Sequence, residues 1–210
     1  MAVPNDATYA RILKAAKVVG ATQGLSMRME DVAAEADLNR RTLFRYFGAR
    51  EPLIKAAFES ALAEYARRIP VPTADDEPHE WLTRALIEVN VMNARIGRLW
   101  WDLATRHSEG SHEEADDIYD PQACAAIVET FAQNAWTKFG GNGTVPANLV
   151  VACAMYTSVF VTHTLQNDYG LSPTEAATRN AHTLSLLFRG GVAAQRDSDF
   201  TQTFGDPITT

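Results

Sequence analysis

Residues 146–169, PANLVVACAMYTSVFVTHTLQNDY, are apolar on nearly every side of a helix. Such a helix has to be covered by other protein on most of its faces. The chain must therefore surround it with helices of its own, or with those of a second copy. At 46% hydrophobic content the 210 residues contain enough apolar material for a real core. No uninterrupted apolar run reaches the ~18–20 residues that cross a bilayer, so no membrane role is expected. The opening stretch MAVPNDATYARILK lacks the basic-then-apolar layout of a signal peptide, and a cytoplasmic protein is expected. Cys124 and Cys153 have no CxxC spacing, which favours buried free thiols over a disulfide or a zinc site.

Helical spacing recurs along the chain. Ile12, Ala15, Ala16 and Val19 fall on one side of a first helix, with Gly24 as its stop. MEDVAAEAD forms a short second helix with Val32, Ala33 and Ala36 inward, and Asp37 tolerates the left-handed backbone of a tight turn. Asn39 caps a third helix from Arg40 to about Phe47, Gly48 closes it, and Pro52 fits the first turn of a fourth. PVPTADDEP, with three prolines and three acids in nine residues, reads as a linker. Leu82, Leu86, Val89 and Met92 resume the spacing; Ile96, Leu99, Trp100 and Leu103 repeat it after a break near Gly97. Asp120 and Pro121 start a helix that carries Ile127, Phe131 and Trp136 and ends at GGNG. SPTE is a capping box for a last helix carrying Ala176, Leu184, Leu187 and Phe188. No strand alternation or repeat occurs, so the expected fold class is all-α. The expected boundaries are 1–68, a linker at 69–79, a helical domain at 80–192, and a flexible tail at 193–210.

Charge separates the two domains. Residues 1–68 hold 11 Lys/Arg and 8 Asp/Glu, whereas the whole chain is at -7. A basic-faced module on an acidic body suits a polyanionic partner. Within that module, LNRRTLFRYF at 38–47 packs three arginines and three aromatic rings into ten residues. Leu43 and Phe47 anchor the helix, so some of Thr42, Phe44, Arg45 and Tyr46 must face outward. Helices two and three with their tight turn make a helix-turn-helix of about twenty residues, whose second helix offers its first turn to base edges. Arg40 and Arg41 stand there, and a bidentate guanidinium–guanine contact is worth roughly 1–3 kcal/mol of discrimination.

From ILKAA at 12–16 through DVAAEAD and TLFRYF at 42–47 to Arg50, Glu51 and Leu53, the stretch resembles the TetR family of bacterial transcriptional regulators. The resemblance covers about residues 9–60 and implies a DNA-reading head on a helical body that dimerises and holds an inducer. It further implies base and phosphate contacts for Arg40, Arg41 and Thr42, and phosphate contacts for Tyr46 and Arg50, with Arg45 on the same surface. Three residues depart from the pattern. Phe44 replaces a tyrosine, so only ring packing against sugar remains. Arg28 stands where a small hydroxyl residue caps helix two, leaving Ser26 as the substitute cap and Arg28 as a further phosphate contact. Asp37 occupies the usual glycine position.

Aromatic and Met side chains with a few polar groups suit an apolar or aromatic ligand. The expected lining is Trp100, Trp101, Phe131, Trp136, Met155, Tyr156, Phe160 and His163, with plain core as the competing reading; for His163 that alternative is a satisfied buried histidine. His107, His112, Glu113 and Asp116 match no metal-ligand spacing, and HSEGSHEEADD reads as a solvated acidic loop. No GxSxG, HExxH or phosphate-cradling glycine loop occurs, so neither catalysis nor a cofactor is expected. The helices at 146–169 and 172–189 are the expected homodimer surface, as a four-helix bundle of two hairpins. The expected function is a ligand-responsive repressor on a palindromic operator. An activator or an inducer-free DNA binder is the first alternative, and a small-molecule carrier or enzyme the second.

Overall fold

A computed structural model describes residues 7–108 and 118–204. Among these residues the elements are nine α-helices and one 3-10 turn, with no strand. The helices are α1 (Ala7–Gln23), α2 (Met29–Glu35), α3 (Arg40–Phe47), α4 (Arg50–Arg68) and α5 (Pro78–Ser108), followed by α6 (Pro121–Lys138), α7 (Ala147–Thr157), α8 (Val159–Asn167) and α9 (Pro173–Phe204). The 3-10 turn spans Gly24–Ser26. The chain divides into two compact units: Met1–Arg68 with Val91–Cys124, and Ile69–Asn90 with Ala125–Thr210. Residues 91–108 and 118–124, placed by the sequence in the second domain, thus pack within the first unit.

In the first unit, Ile12, Ala15, Ala16 and Val19 of α1 are buried with Val32, Ala33, Leu43, Leu53, Ile54 and Phe58. The second half of α5 joins this core through Leu99, Trp100 and Leu103. It reaches the core by a kink at Gly97, where φ is 52° and ψ is -127°. A Cβ at Gly97 would lie 2.6 Å from the carbonyl oxygen of Ala21, so backbone presses on backbone there and only glycine fits.

The second unit is built around Trp81, Phe131, Trp136, Leu149, Leu184 and Phe188. The indole of Trp136 donates to the Asn142 carbonyl at 3.1 Å, and a Cβ on Gly141 would sit 2.1 Å from the ring. The GGNG segment is therefore a lid folded over an indole. Gly191 plays a similar part, because its missing side chain admits Leu149 and Trp136. This explains why α9 does not stop at Gly190–Gly191 as the sequence suggested. Val192 is buried beyond them, and Gln195 brackets Asn142 by accepting from its N–H and donating to its carbonyl, both at 2.9 Å. The stretch expected to be a flexible tail is helical as far as Phe204, and 205–210 lie outside the described residues.

Two further expectations change. The linker is ordered: Asp76 accepts from the N–H and hydroxyl of Thr73, and Lys138 donates to the carbonyls of Thr73 and Ala74. Helix α5 accordingly begins at Pro78. The Thr73 N–H, the Arg84 guanidinium and the Thr73 hydroxyl hold the Asp76 carboxyl down at about 2. The apolar segment at 146–169 is two helices, bent by 47° at Ser158. Thr157 donates its hydroxyl to the Cys153 carbonyl, while Ser158 leaves helical geometry and caps α8 through the Phe160 N–H. The local hydroxyl bonds compete with the helix ladder at this point. Among the described residues no single helix is long and apolar enough to cross a membrane; α7 and α8 reach that length only together, across their bend.

Cys153 is fully buried, and burial pushes its thiol up to about 12. Its thiolate is the reactive species. A thiol reagent at pH 8 is therefore expected to leave Cys153 unmodified in the native protein and to label it only on unfolding, as mapped by peptide mass spectrometry.

Candidate nucleic-acid interface

The exposed surface of α3 is fixed from behind. Ala36 ends α2, Asp37 takes a left-handed φ of 49°, and the Leu38 N–H bonds back to Ala33 at 2.9 Å. The chain re-enters a helix at Asn39, whose Oδ1 accepts from the Thr42 N–H at 2.8 Å and the Thr42 hydroxyl at 3.0 Å. Leu43 is completely buried, and Phe47 stacks on Tyr9 at 5.4 Å between centroids. Tyr46 lies 6.4 Å from the same ring, so α1 carries an aromatic support for the far end of α3.

Arg40, Arg41, Phe44 and Arg45 face outward. Their guanidinium groups are arranged differently. Arg40 pairs with Glu30 of α2 at 2.9 Å and lies 5.0 Å over the Phe44 ring. Arg45 lies 5.5 Å over Tyr46. Arg41 has no ion-pair partner among the described residues. Cation–ring contacts of this kind hold a flexible side chain close to one conformation. The first turn of α3 therefore presents two positive forks beside an exposed aromatic edge.

The remaining expected contacts are constrained by other roles. The Thr42 hydroxyl is taken up in the cap. Arg28 grips Asp31 with two bonds of 3.1 and 3.2 Å, and this hydrogen bonding keeps the Asp31 carboxyl below its usual range. Ser26 does not cap α2: its hydroxyl donates to the Gln23 carbonyl, and the cap position is Arg28, without a side-chain bond. Glu30 and Asp31 in the first turn supply the negative charge favoured at that end of a helix. Arg50 donates from Nη1 to the Leu25 carbonyl at 3.0 Å and pairs through Nε with Glu51 at 3.1 Å. On the other side of Leu25, its N–H donates to Asp102 Oδ2 at 3.0 Å. Sequence reasoning missed Glu30 and Asp102, because neither stands at a spacing that links it to its partner.

The eight residues expected to line a ligand pocket are divided between the two units. Trp100 and Trp101 belong to the first unit and the other six to the second. Trp100 is buried against Phe58 and Tyr65, at 5.7 and 5.2 Å, while Trp101 is half-buried. Phe131 and Trp136 are core, and Tyr156 packs on that core. Met155, Phe160 and His163 are exposed, so His163 is not a buried histidine. A cavity of about 420 Å³ is lined instead by residues of α1, α4 and α5, none of them among the eight. Of the acidic-loop residues, His107 lies on α5, whereas His112, Glu113 and Asp116 fall outside the described residues. No group of three metal-ligating side chains occurs among the described residues.

Residues 12–57 match the family model of bacterial regulatory proteins of the tetR family. The chain is 28% identical over 125 residues to an HTH-type transcriptional repressor of Streptomyces coelicolor. That match takes in 58% of this chain and 64% of the repressor, so somewhat under two thirds of that relative is spanned. A tetR-family transcriptional regulator from Streptomyces coelicolor superposes with a TM-score of 0.65 at 15% identity, covering 92% of this chain and 87% of the other. A TetR-like regulator from Rhodococcus sp. RHA1 gives 0.51 at 20% identity, with 91% and 99% covered. At these identities the two structures speak for the fold. Residues 12–57 carry the tetR-family DNA-binding segment.

In this tetR-like head the matched residues run from within α1 to the first half of α4, and so include Arg50 but not Asp102. The geometry separates Arg50 from Arg41. Arg50→Ala removes a charged hydrogen bond to Leu25 and is expected to cost about 1–2 kcal/mol in urea denaturation. Arg41→Ala is expected to leave stability within about 0.5 kcal/mol, as for other exposed positions. Equal losses in the two variants would contradict the roles drawn here.

Proposed function

We propose that the protein is a dimeric, DNA-binding transcriptional regulator, a repressor that leaves a palindromic operator when a small molecule binds. The observation that carries this reading is the first turn of α3, with Arg40 and Arg41 outward, Leu43 inward and Asn39 as cap. In a helix-turn-helix those first-turn positions reach base edges in the major groove. Arg41 is the chief base reader, Arg40 exchanges Glu30 for a base or phosphate, and Arg45 and Tyr46 lie toward the backbone. Thr42 contributes through its cap, Phe44 through ring packing, and Arg28 and Arg50 through the phosphate field of the same face. The tetR-family match over residues 12–57 and the repressor relative favour the regulatory reading. No catalytic role is assigned, and the protein acts where the DNA lies, in the cytoplasm.

Dimerisation is proposed through α7, α8 and α9. Val151 is 59% exposed, Met155 60% and Leu186 57%, an apolar surface that is costly to leave in water. Pairing two copies covers it, and a two-fold axis sets two α3 helices about one DNA turn, ~34–36 Å, apart. Val159 is buried and is not part of this surface. Leu186→Glu is therefore the apt disruption, and a monomer in light scattering is the expected result; a wild-type mass would place the interface elsewhere.

Selection of bound duplexes from a random DNA pool at near-physiological salt tests the central claim. A two-fold symmetric consensus is expected, with Arg41→Ala relaxing base preference at one position of each half-site. Recovery of no sequence above background would remove base reading from α3.

A further inference from the structure

The cavity of about 420 Å³ lies entirely within the first unit. Its size falls in the range of small-molecule sites, about 300–1,000 Å³. Its lining is of two kinds. Ala61, Met92, Ile96 and Leu99 make an apolar floor, and Val18, 48% exposed, extends it toward solvent. Lys14, Lys17 and Arg95 stand at the edge with a single acid, Glu64. Glu64 is already bound, to Lys17 at 3.0 Å and Arg68 at 3.3 Å, and the Lys17 hydrogen bond holds its carboxyl below the ordinary range. Lys14 and Arg95 have no ion-pair partner among the described residues. An apolar floor under surplus positive charge is complementary to a molecule with an apolar body and one anionic head.

The geometry points to this cleft as the effector site, taking an amphipathic monocarboxylate whose head lies among Lys14, Lys17 and Arg95. The inference rests on the regulator reading and adds the chemistry of the effector to it. The head competes with Glu64 for Lys17, and the Lys17–Glu64 pair is a polar tie between α1 and α4. Helix α4 begins at Arg50, which holds the Leu25 carbonyl ahead of α2. Loosening α1 from α4 therefore reaches the base of the helix-turn-helix. The opposite wall cannot give in the same way, because the Gly97 backbone is seated on Ala21 and Leu99 sits against Gly20. Coupling of this kind is reciprocal: DNA weakens the carboxylate by the factor by which the carboxylate weakens DNA.

Decanoate is the probe, decan-1-ol its uncharged control, and titration calorimetry of the full chain without DNA the first measurement. Saturable decanoate binding well above that of decan-1-ol is expected. In the double variant Lys14→Gln, Arg95→Gln, decanoate should weaken about tenfold, the sum of two exposed ion-pair contacts within their usual range. Both side chains are exposed, so an unchanged circular dichroism melt is expected alongside. No saturable binding, equal affinity for the alcohol, or an undiminished affinity in the double variant overturns the site. The selected duplex is then titrated separately. Weaker DNA binding with decanoate present supports the coupling, and unchanged DNA binding with decanoate bound overturns it. Charge-dependent decanoate binding by a protein that selects no DNA supports the cleft and overturns the regulator reading instead.

Discussion

One residue, Leu25, is held by both of its backbone polar groups. Its N–H donates to Asp102 Oδ2 at 3.0 Å, and its carbonyl accepts from Arg50 Nη1 at 3.0 Å. The 3-10 turn that contains it is where the chain leaves α1 and prepares to enter α2, and free backbone groups there would otherwise be left to water. A carboxylate from α5 and a guanidinium from α4 satisfy them. The direction of α2, and with it the turn at Asp37 and the axis of α3, follows from that double grip. The α5 side of the grip depends on Gly97, since a residue with a side chain could not let the helix bend onto Ala21.

The second unit uses a different device. Its core is closed by glycines packed on Trp136, one in the loop after α6 and one inside α9. In both places the absence of a side chain is a way of bringing backbone against an indole, and the Trp136 N–H is satisfied by the same loop that covers the ring. Asn90 shows the polar counterpart: buried, it accepts from the Thr162 hydroxyl at 2.9 Å and donates to the Leu86 carbonyl at 2.9 Å. That pair ties α8 to α5 within the unit, and both partners are hydrogen-bonded, as burial demands.

Local signals were readable where the chain decides structure within a few residues. The Asn39 cap, the left-handed Asp37, the kink at Gly97, the Asp120–Pro121 start and the Ser172–Glu175 capping box all appear at the positions their chemistry indicates. Glycine was the exception, because the same residue follows the end of a helix at Gly24 and lies inside one at Gly191, and the distant partners packed on each are not visible in the local sequence. The break at Ser158 was hidden by composition: apolar neighbours on both sides outweighed two adjacent hydroxyls. The outward arginines of α3 were legible from their neighbours, but the partners Glu30 and Asp102 were not, since they meet through the packing of separate helices. The proposed pocket residues were read from aromatic content, which does not distinguish a core indole from one facing a ligand.

Glu30 has a consequence for the energetics of the proposed complex. A free arginine reaching DNA displaces mobile cations from the phosphates, and those released ions make binding steeply dependent on salt. Arg40 begins from a carboxylate at 2.9 Å, which serves it as a resident counter-ion. Its transfer to a phosphate is an exchange of one anion for another, and it leaves Glu30 uncompensated beside the duplex. Part of the binding free energy is thus converted into orientation, with the guanidinium already aligned along the first turn before any DNA arrives. In the proposed complex Arg41 would carry more of the ionic attraction, and Arg40 more of the alignment.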